Sequence, residues 1–346
     1  MKNRNAHPPL TIYEVSKLAG VSTATVSRAM NSATKRKVAP ATLQRIARVI
    51  ERCGYTPHLG ARHLGGSVPN TIGILLAHVQ GLFFHDYHVQ LLAGIADEML
   101  GTEYGFKLIM LKPSPRRWDQ YDFQAGEAVS GLIVTHWQKF FSKASVLERL
   151  RIPCVVINDP MRGVYSVGGD NLMGGELAAR HLYANGHRRM AVVTGPAWSS
   201  DCRLRVQGFS AFFRHHAAHA RFSVLQGEYD RERVRGAVGT LLKRSPAVTA
   251  IFCCNDDMAL GALEALRDAG RACPEEVSVV GYDDEPRAQT ATPPLTTIRV
   301  PLYEIAREGT RRLIQHLAGD GSARPLAGHA LLPVTLVERE SVRHSA

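Results

Sequence analysis

No apolar stretch in this chain is long enough to cross a bilayer. The longest runs, such as Ile72 to Ala77 and Leu108 to Leu111, fall short of the roughly 18 to 20 residues that a hydrocarbon core requires, so no membrane partner is expected. The N-terminus has basic residues but no apolar run behind them; it does not read as a secretory signal, and a cytoplasmic protein is expected. Cysteine is sparse: six residues, at 53, 154, 202, 253, 254 and 273, with no CxxC pair. A chain of this size needs no disulfide staples, so these are expected as reduced thiols. The fingerprints of phosphate-cradling and nucleophilic enzymes are also missing, with no P-loop, GxGxxG or GxSxG elbow. No catalytic residue, cofactor or enzyme activity is therefore expected. His215, His216 and His219 put two imidazoles at i, i+4, a zinc spacing, but lack a third ligand. They read as a solvated helix face and no metal is expected. Cys253 and Cys254 lie in an apolar run and read as small core residues.

What the chain has is an uneven charge. Its 346 residues suggest two or three folded units, and 45% hydrophobic with 21% charged residues is ordinary globular composition. Residues 1–66 hold eleven basic and two acidic residues, a net +9, while the other 280 carry 31 basic against 29 acidic, a net +2. A small basic head on a nearly neutral body suits phosphate-backbone binding, in which neutralised phosphates release condensed counterions.

The head reads as three short helices. Thr11 with Glu14 makes a capping box, and Ile12, Val15 and Leu18 follow at helical spacing. Gly20 ends that helix. Ser22 caps a second, with Val26 and Met30 on one face and Thr23, Ala24, Ser27 and Arg28 on another. A third is expected from Pro40 to Cys53, with Leu43, Ile46, Ala47 and Ile50 inward and Gly54 as its cap. Two helices joined by a tight glycine turn form a helix-turn-helix, whose second helix offers its N-terminal end to the major groove.

The segments TIYEVSKLAGVSTATVSRAMN and TLQRIARVIERCGYTPHLGARHL resemble the lac repressor family of bacterial transcription regulators. The resemblance implies that Thr23 and Ala24 read bases and that Arg28 contacts a base or a phosphate. Thr11, Ser22, Thr25, Ser27, Asn31, Tyr55, His58 and Arg62 complete the implied DNA-contacting set. Ala24 has no hydrogen-bonding group, so it can offer a base edge only its methyl, and the run Lys35, Arg36, Lys37 adds charge for phosphates. Residues 57–64 resemble the family's hinge helix, with Leu64 as the wedge between base steps.

From Thr71 onward, apolar β-branched runs alternate with longer amphipathic segments: TIGILLA, a helix to about Glu103, FKLIML, a helix, GLIVT, a helix and PCVVI. A second set follows: a helix from Leu172 to Gly186, MAVVT, a helix through Phe212, a strand near Val224, a helix from Asp230, TAIFC, a helix from Asn255 to Gly270 and VSVVGYDD. Such alternation gives parallel sheets with crossover helices, which bind ligands beyond the carboxyl ends of their strands. The stretches LRVQGF, CNDDMALGAL, VSVVGYDD and PPLTTIRVP extend the resemblance to the family's sensor domain, two lobes like those of periplasmic binding proteins. It implies that Arg205, Asn255 and Asp283 contact an effector; Phe84, in the loop after the first strand, is expected to pack on its ring, and Trp137 and Trp198, at strand ends, are further pocket candidates.

The expected architecture is an all-α helix-turn-helix headpiece (1–56), a hinge helix and linker (57–70) and an α/β two-lobed body (71–346). Lobe 1 takes about 71–168 and 301–328, and lobe 2 about 169–298 and 329–346. The expected function is that of an operator-binding regulator, a repressor, which works as a homodimer on double-stranded DNA and answers to a small effector, a carbohydrate in first place. Phosphorylated effectors and purines stay open. The competing expectation is a solute-binding or sensor protein of the same body fold with no operator role.

Overall fold

The computed structural model describes residues 11–30, 37–53, 70–77, 86–111, 123, 127–136, 141, 145–148, 150, 152–158, 163–216, 220–319 and 326–343. Its contacts divide the chain into Met1–Pro69 and Asn70–Ala346. Among the described residues no helix is long and apolar enough to cross a membrane.

In the first unit, α1 (Ile12–Ala19) begins where the Glu14 carboxylate accepts from the Thr11 amide at 2.6 Å and from its hydroxyl at 3.0 Å. The backbone bond from Thr11 holds Glu14 below the usual carboxylate range. Gly20 takes φ 58° and its N–H returns to the Lys17 and Ser16 carbonyls, a left-handed cap that glycine adopts without strain. At the entry to α2 (Thr23–Met30) the Ser22 hydroxyl accepts from the Thr25 amide at 3.1 Å. The third helix, α3 (Pro40–Cys53), places proline at its first position, where a missing N–H costs nothing. Val15, Ala19, Val26, Ala29, Val38 and Ile46 are buried together, with Ile12, Val21, Leu43, Val49 and Ile50 against them. One expectation fails: Ala47 is exposed. The buried stripe of α3 is turned toward Val49, three residues from Ile46, which leaves Ala47 on the solvent flank.

The second unit runs β1 (Thr71–Ala77), α4 (Asp86–Met99), β2 (Gly105–Leu111), β3 (Gly131–Thr135), the single turn α5 (Ser145–Glu148), β4 (Cys154–Ile157) and β5 (Tyr165–Gly169). It continues with α6 (Asn171–Ala184), β6 (Arg189–Thr194), α7 (Ser200–His216), β7 (Arg221–Gln226), α8 (Arg231–Arg244), β8 (Ala250–Cys253), α9 (Asp256–Asp268), β9 (Ser278–Asp283), the short α10 (Pro286–Gln289) and β10 (Thr296–Arg299). Last come α11 (Leu302–Ala318), β11 (His329–Leu332) and β12 (Thr335–Val337). Among the described residues two six-stranded sheets result, ordered β11-β5-β4-β3-β1-β2 and β12-β10-β9-β8-β6-β7, and every described pairing is parallel except β10 with β12. Strands covered on both faces read as unbroken apolar runs, and β3, β4 and β8 are buried along their whole length.

Three details differ from expectation. Helix α4 stops at Met99, not near Glu103, because Gly101 turns the chain with φ 78°. β5, β10, β11 and β12 are short edge or near-edge strands that the alternation did not single out. Finally, β11 pairs with β5 and so belongs to the first sheet. The last crossing between sheets therefore falls after Leu332, four residues beyond the expected 328, because the chain stays on the first sheet until β11 has paired.

Candidate functional site

On the headpiece, α2 turns Val26 and Ala29 inward and exposes Ala24, Ser27 and Arg28, with Thr23 and Thr25 half-buried. This follows from helical spacing: 26 and 29 share the core face, and 24, 27 and 28 fall on the other. Three of the expected contact residues also serve the local fold. Ser22 and Thr25 share a hydroxyl–hydroxyl hydrogen bond of 2.8 Å, and the Thr11 hydroxyl donates to Glu14. Asn31, Tyr55, His58, Arg62 and Leu64 lie outside the described residues, as do the Lys35–Arg36 part of the basic run and the expected hinge helix.

In the body, Arg205 is the best-defined of the expected effector contacts. It projects from α7 and is 4% exposed. α7 lies close against α6: a Cβ on Gly175 would meet the Arg205 carbonyl, and one on Gly208 would meet the Leu172 carbonyl. Its Nε donates to Asn171 Oδ1 at 2.8 Å and one terminal nitrogen donates to the Cys254 carbonyl at 2.5 Å. The other lies 3.5 Å from Asp283 Oδ1. Its face covers the Tyr282 ring at 3.7 Å, a cation–π contact. The Asn171 amide in turn donates to Asp201 at 3.1 Å. Asp201, Asn171, Arg205 and Asp283 thus form one polar chain.

Burial works against the guanidinium charge, but Asp283 and its neighbours outweigh it and hold the Arg205 pKa above its ordinary value. Burial pushes the Asp283 carboxyl well up, and Arg205 opposes that shift. Tyr87, from α4, is also raised by burial and by Asp201, and its hydroxyl accepts from Asn158 at 3.4 Å. Its ring lies 5.6 Å from His136, which lies 6.1 Å from Trp198, itself 6.0 Å from Tyr229. His136 and Asn158 follow first-sheet strands, while Trp198 and Tyr229 follow second-sheet strands. An aromatic row therefore spans both lobes beside the polar chain.

The strand ends here are conformationally unusual. His136, Asn158 and Asp283 have φ of 49°, 58° and 109°, a region non-glycine residues seldom occupy and one that clusters at ligand sites. Of the expected effector residues, the structure brings Trp198, Arg205 and Asp283 to this region. Asn255 caps α9, accepting from the Met258 amide at 2.9 Å, and it follows Cys254, whose carbonyl Arg205 engages. Phe84 and Trp137 lie outside the described residues. Sequence reasoning missed Tyr87, His136, Asn158, Asn171, Asp201 and Tyr229. A usable signal existed for some: His136 and Asn158 are the first polar residues after apolar strands, and Asp201 stands four residues before Arg205, on the same helix face. A cleft of about 470 Å³ is lined by Asp86, Gln90, Asp283, Arg299 and Tyr303 among others.

Residues 11–58 match the family "Bacterial regulatory proteins, lacI family", and residues 179–342 match "Periplasmic binding protein-like domain". The HTH-type transcriptional regulator CelR of Thermobifida fusca is 30% identical over 341 residues, covering 96% of this chain and 98% of that protein. The HTH-type transcriptional repressor PurR of Haemophilus influenzae is 28% identical over 337 residues, with the same coverage. Among solved structures, a lac repressor dimer bound to operator and the anti-inducer ONPF superposes with a TM-score of 0.78 at 26% identity, covering 96% of this chain and 99% of that one. A complex of CelR with cellobiose gives 0.69 at 28% identity, again covering 96% and 99%. The headpiece, the two-sheet body and relatives aligned over nearly the whole length agree: this chain belongs to the lacI family of bacterial regulatory proteins, and is a DNA-binding transcription regulator and not an enzyme.

Proposed function

We propose that this protein represses transcription in the cytoplasm as a homodimer on a roughly palindromic operator, and that a small carbohydrate bound between the lobes sets its operator affinity. α2 enters the major groove, with Thr23, Ala24 and Arg28 nearest the bases and Thr11, Ser22, Thr25 and Ser27 toward the backbone. Asn31, Tyr55, His58, Arg62 and the wedge Leu64 extend that contact. Trp198, Arg205, Asn255 and Asp283 take the effector from one lobe, Phe84 and Trp137 from the other.

The observation that carries the reading is the meeting of both lobes at one polar-and-aromatic site: Arg205 and Asp283 beside a row of rings to which each lobe contributes. Hydroxyls can bridge carboxylate, amide and guanidinium groups, and sugar C–H faces pack on rings. The cellobiose complex of CelR supports a carbohydrate as the effector. Lobe closure around a ligand then repositions the segment that leads to the headpiece. The test is selection of a duplex from a random library by the full chain, followed by anisotropy titrations with and without candidate sugars. One enriched palindrome whose affinity responds to a sugar is expected; a chain that enriches no sequence acts instead as a ligand-binding protein without an operator.

A further inference from the structure

Two of the cysteines in the body meet. Cys202 lies in the first turn of α7 and Cys254 directly after β8, and their side chains hydrogen-bond each other. Both are free thiols. The topology brings them together: β6 and β8 are neighbouring parallel strands, and the Cys254 amide donates to the Val193 carbonyl of β6 at 2.9 Å. Gly195 follows β6 and leaves room for the second thiol, since a Cβ there would stand 2.7 Å from Cys202 Sγ. Cys254 packs as a core residue, but its sulfur faces another sulfur.

The two thiols have unlike surroundings. Cys202 Sγ lies 3.1 Å from the Tyr229 hydroxyl, which lies 2.8 Å from the Ser199 hydroxyl, and the Cys202 amide donates to Ser199 Oγ at 3.3 Å. The bond from Cys254 and then the charge of Arg205, one turn further along α7, outweigh burial and hold the Cys202 thiol below its ordinary value, which makes a sulfur nucleophilic. Burial pushes the Cys254 thiol well up, so it stays protonated beside its partner. Cys154 and Cys253 are pushed up by burial with no such help, the inert kind of core cysteine. Cys202 is buried too, but its hydroxyl contacts belong to surface loops: Tyr229 is half-buried, and Ala197, Glu228 and Asp230 are exposed. A local opening there admits an oxidant as small as hydrogen peroxide.

We propose that Cys202 and Cys254 are a peroxide-sensitive dithiol, and that their oxidation to a disulfide disturbs the Arg205 site. The Cys202 sulfur attacks one peroxide oxygen, the O–O bond breaks, and the departing hydroxide takes the thiol proton and leaves as water. Cys202 is then a sulfenic acid. The Cys254 sulfur attacks that sulfur, an S–S bond forms, and the sulfenic hydroxyl leaves with the Cys254 proton as a second water. Two thiols thus give up two electrons and two protons to one peroxide. A disulfide holds its sulfurs about 2 Å apart and its Cβ atoms about 3.8 Å apart, closer than two hydrogen-bonded thiols stand, so one backbone segment has to move. Both segments carry Arg205: Cys254 through the carbonyl that accepts from it, and Cys202 as the turn of α7 before it.

The experiment treats the full-length chain with hydrogen peroxide, blocks the remaining thiols with iodoacetamide and maps the peptides by mass spectrometry. A Cys202–Cys254 linkage that dithiothreitol reverses is expected. In Cys254→Ala the Cys202 sulfenic acid should persist and be trapped by dimedone, at least about tenfold faster than any trapping at Cys154 or Cys253. Cys202→Ser should give neither product. Treated wild-type protein without this linkage, a linkage through a different pair, or a Cys202 no faster than Cys154 overturns the inference, and the wild-type map decides even where a variant fails to fold. The second half rests on the effector reading above: cellobiose, glucose and ribose are titrated into reduced and oxidised protein by calorimetry. A sugar that binds the reduced form should bind the oxidised form at least about tenfold more weakly, with recovery in dithiothreitol and no effect of peroxide in Cys202→Ser. A sugar affinity that the linkage leaves unchanged overturns the connection to Arg205. Absence of any sugar binding to the reduced form is a failure of the effector reading, while the mapped linkage upholds the dithiol.

Discussion

The headpiece and the body solve different problems with the same twenty residue types. The headpiece closes over a core of six buried apolar residues among those described and keeps its chemistry on the outside, in Ala24, Ser27 and Arg28 of α2. The body buries its chemistry: Arg205 is nearly inaccessible and is held by partners from 34 residues before it and 49 residues after it. In one region contacts between neighbours along a helix decide function; in the other, tertiary placement does. The two should therefore respond to different perturbations.

Salt gives the largest expected contrast. With about 6 to 10 phosphate contacts, operator affinity should fall by roughly 10³ to 10⁵ between 50 and 200 mM salt, whereas sugar binding in the body should barely change. Anisotropy and calorimetry on the same preparation measure the two. Similar slopes for both ligands would break the comparison.

Core truncation sharpens it. Ile46, 2% exposed in the headpiece, should cost about 2–5 kcal/mol on truncation to alanine, most of what so small a core can supply. Ile46→Ala should lose operator binding while the melting and sugar affinity of the body stay at wild-type values. A body that melts early in this variant would show that the two units do not fold independently.

These contrasts explain what was legible in the sequence. The capping pair Thr11 and Glu14, the left-handed Gly20 and the α2 face are encoded within a few residues, so spacing finds them. Most body strands also declared themselves as apolar runs. Arg205 and Asp283 were placed by resemblance and Trp198 by its position at a strand end, and the resemblance held for the fold around them. Asn171 and Tyr87 were not visible, because their roles depend on α6 packing against α7 and on α4 reaching the second lobe's charges. β11 was assigned to the wrong sheet because four residues with one partner strand carry no signal of which edge they join. Ala47 shows the limit of periodicity: the stripe locates a core face only to within a residue or so on either flank.

Buried histidine supplies a contrast that belongs to the body alone. His187 is fully buried with Nδ1 3.0 Å from the Thr249 hydroxyl, and burial, then the charges of Arg343, His181 and Arg188, lower its pKa to about 4. Between its unfolded value of about 6.5 and 4, the unfolded chain takes up a proton that the folded one refuses. Its contribution is thus fully present above pH 6.5 and is lost as pH falls toward 4, by on the order of 3 kcal/mol. His187→Gln should remove that acid sensitivity of the body's melting temperature; an unchanged pH profile would show that the histidine is neutralised by other means.

The smallest effect separates two roles of one residue. Asn255 caps α9 through Met258, so Asn255→Ala should lower body stability by about 1 kcal/mol, while Asn255→Asp keeps the capping acceptor and most of that stability. If Asn255 also holds the effector through its amide, both variants should bind sugar more weakly. Sugar affinity that follows stability alone would leave it a cap and nothing more.

The central claim is that Arg205 transmits the effector signal and takes no part in holding DNA. The direct measurement is operator affinity of wild-type protein and of Arg205→Lys, each with and without a saturating sugar found in the titrations with candidate sugars. Lysine keeps the charge facing Asp283 and loses the planar fork that engages Asn171 and Cys254 together. The account predicts equal operator affinity for both proteins without sugar, with a shift of about 5- to 150-fold on adding it in the wild type only. Loss of operator binding by Arg205→Lys without sugar, together with sugar affinity at the wild-type value, would contradict it.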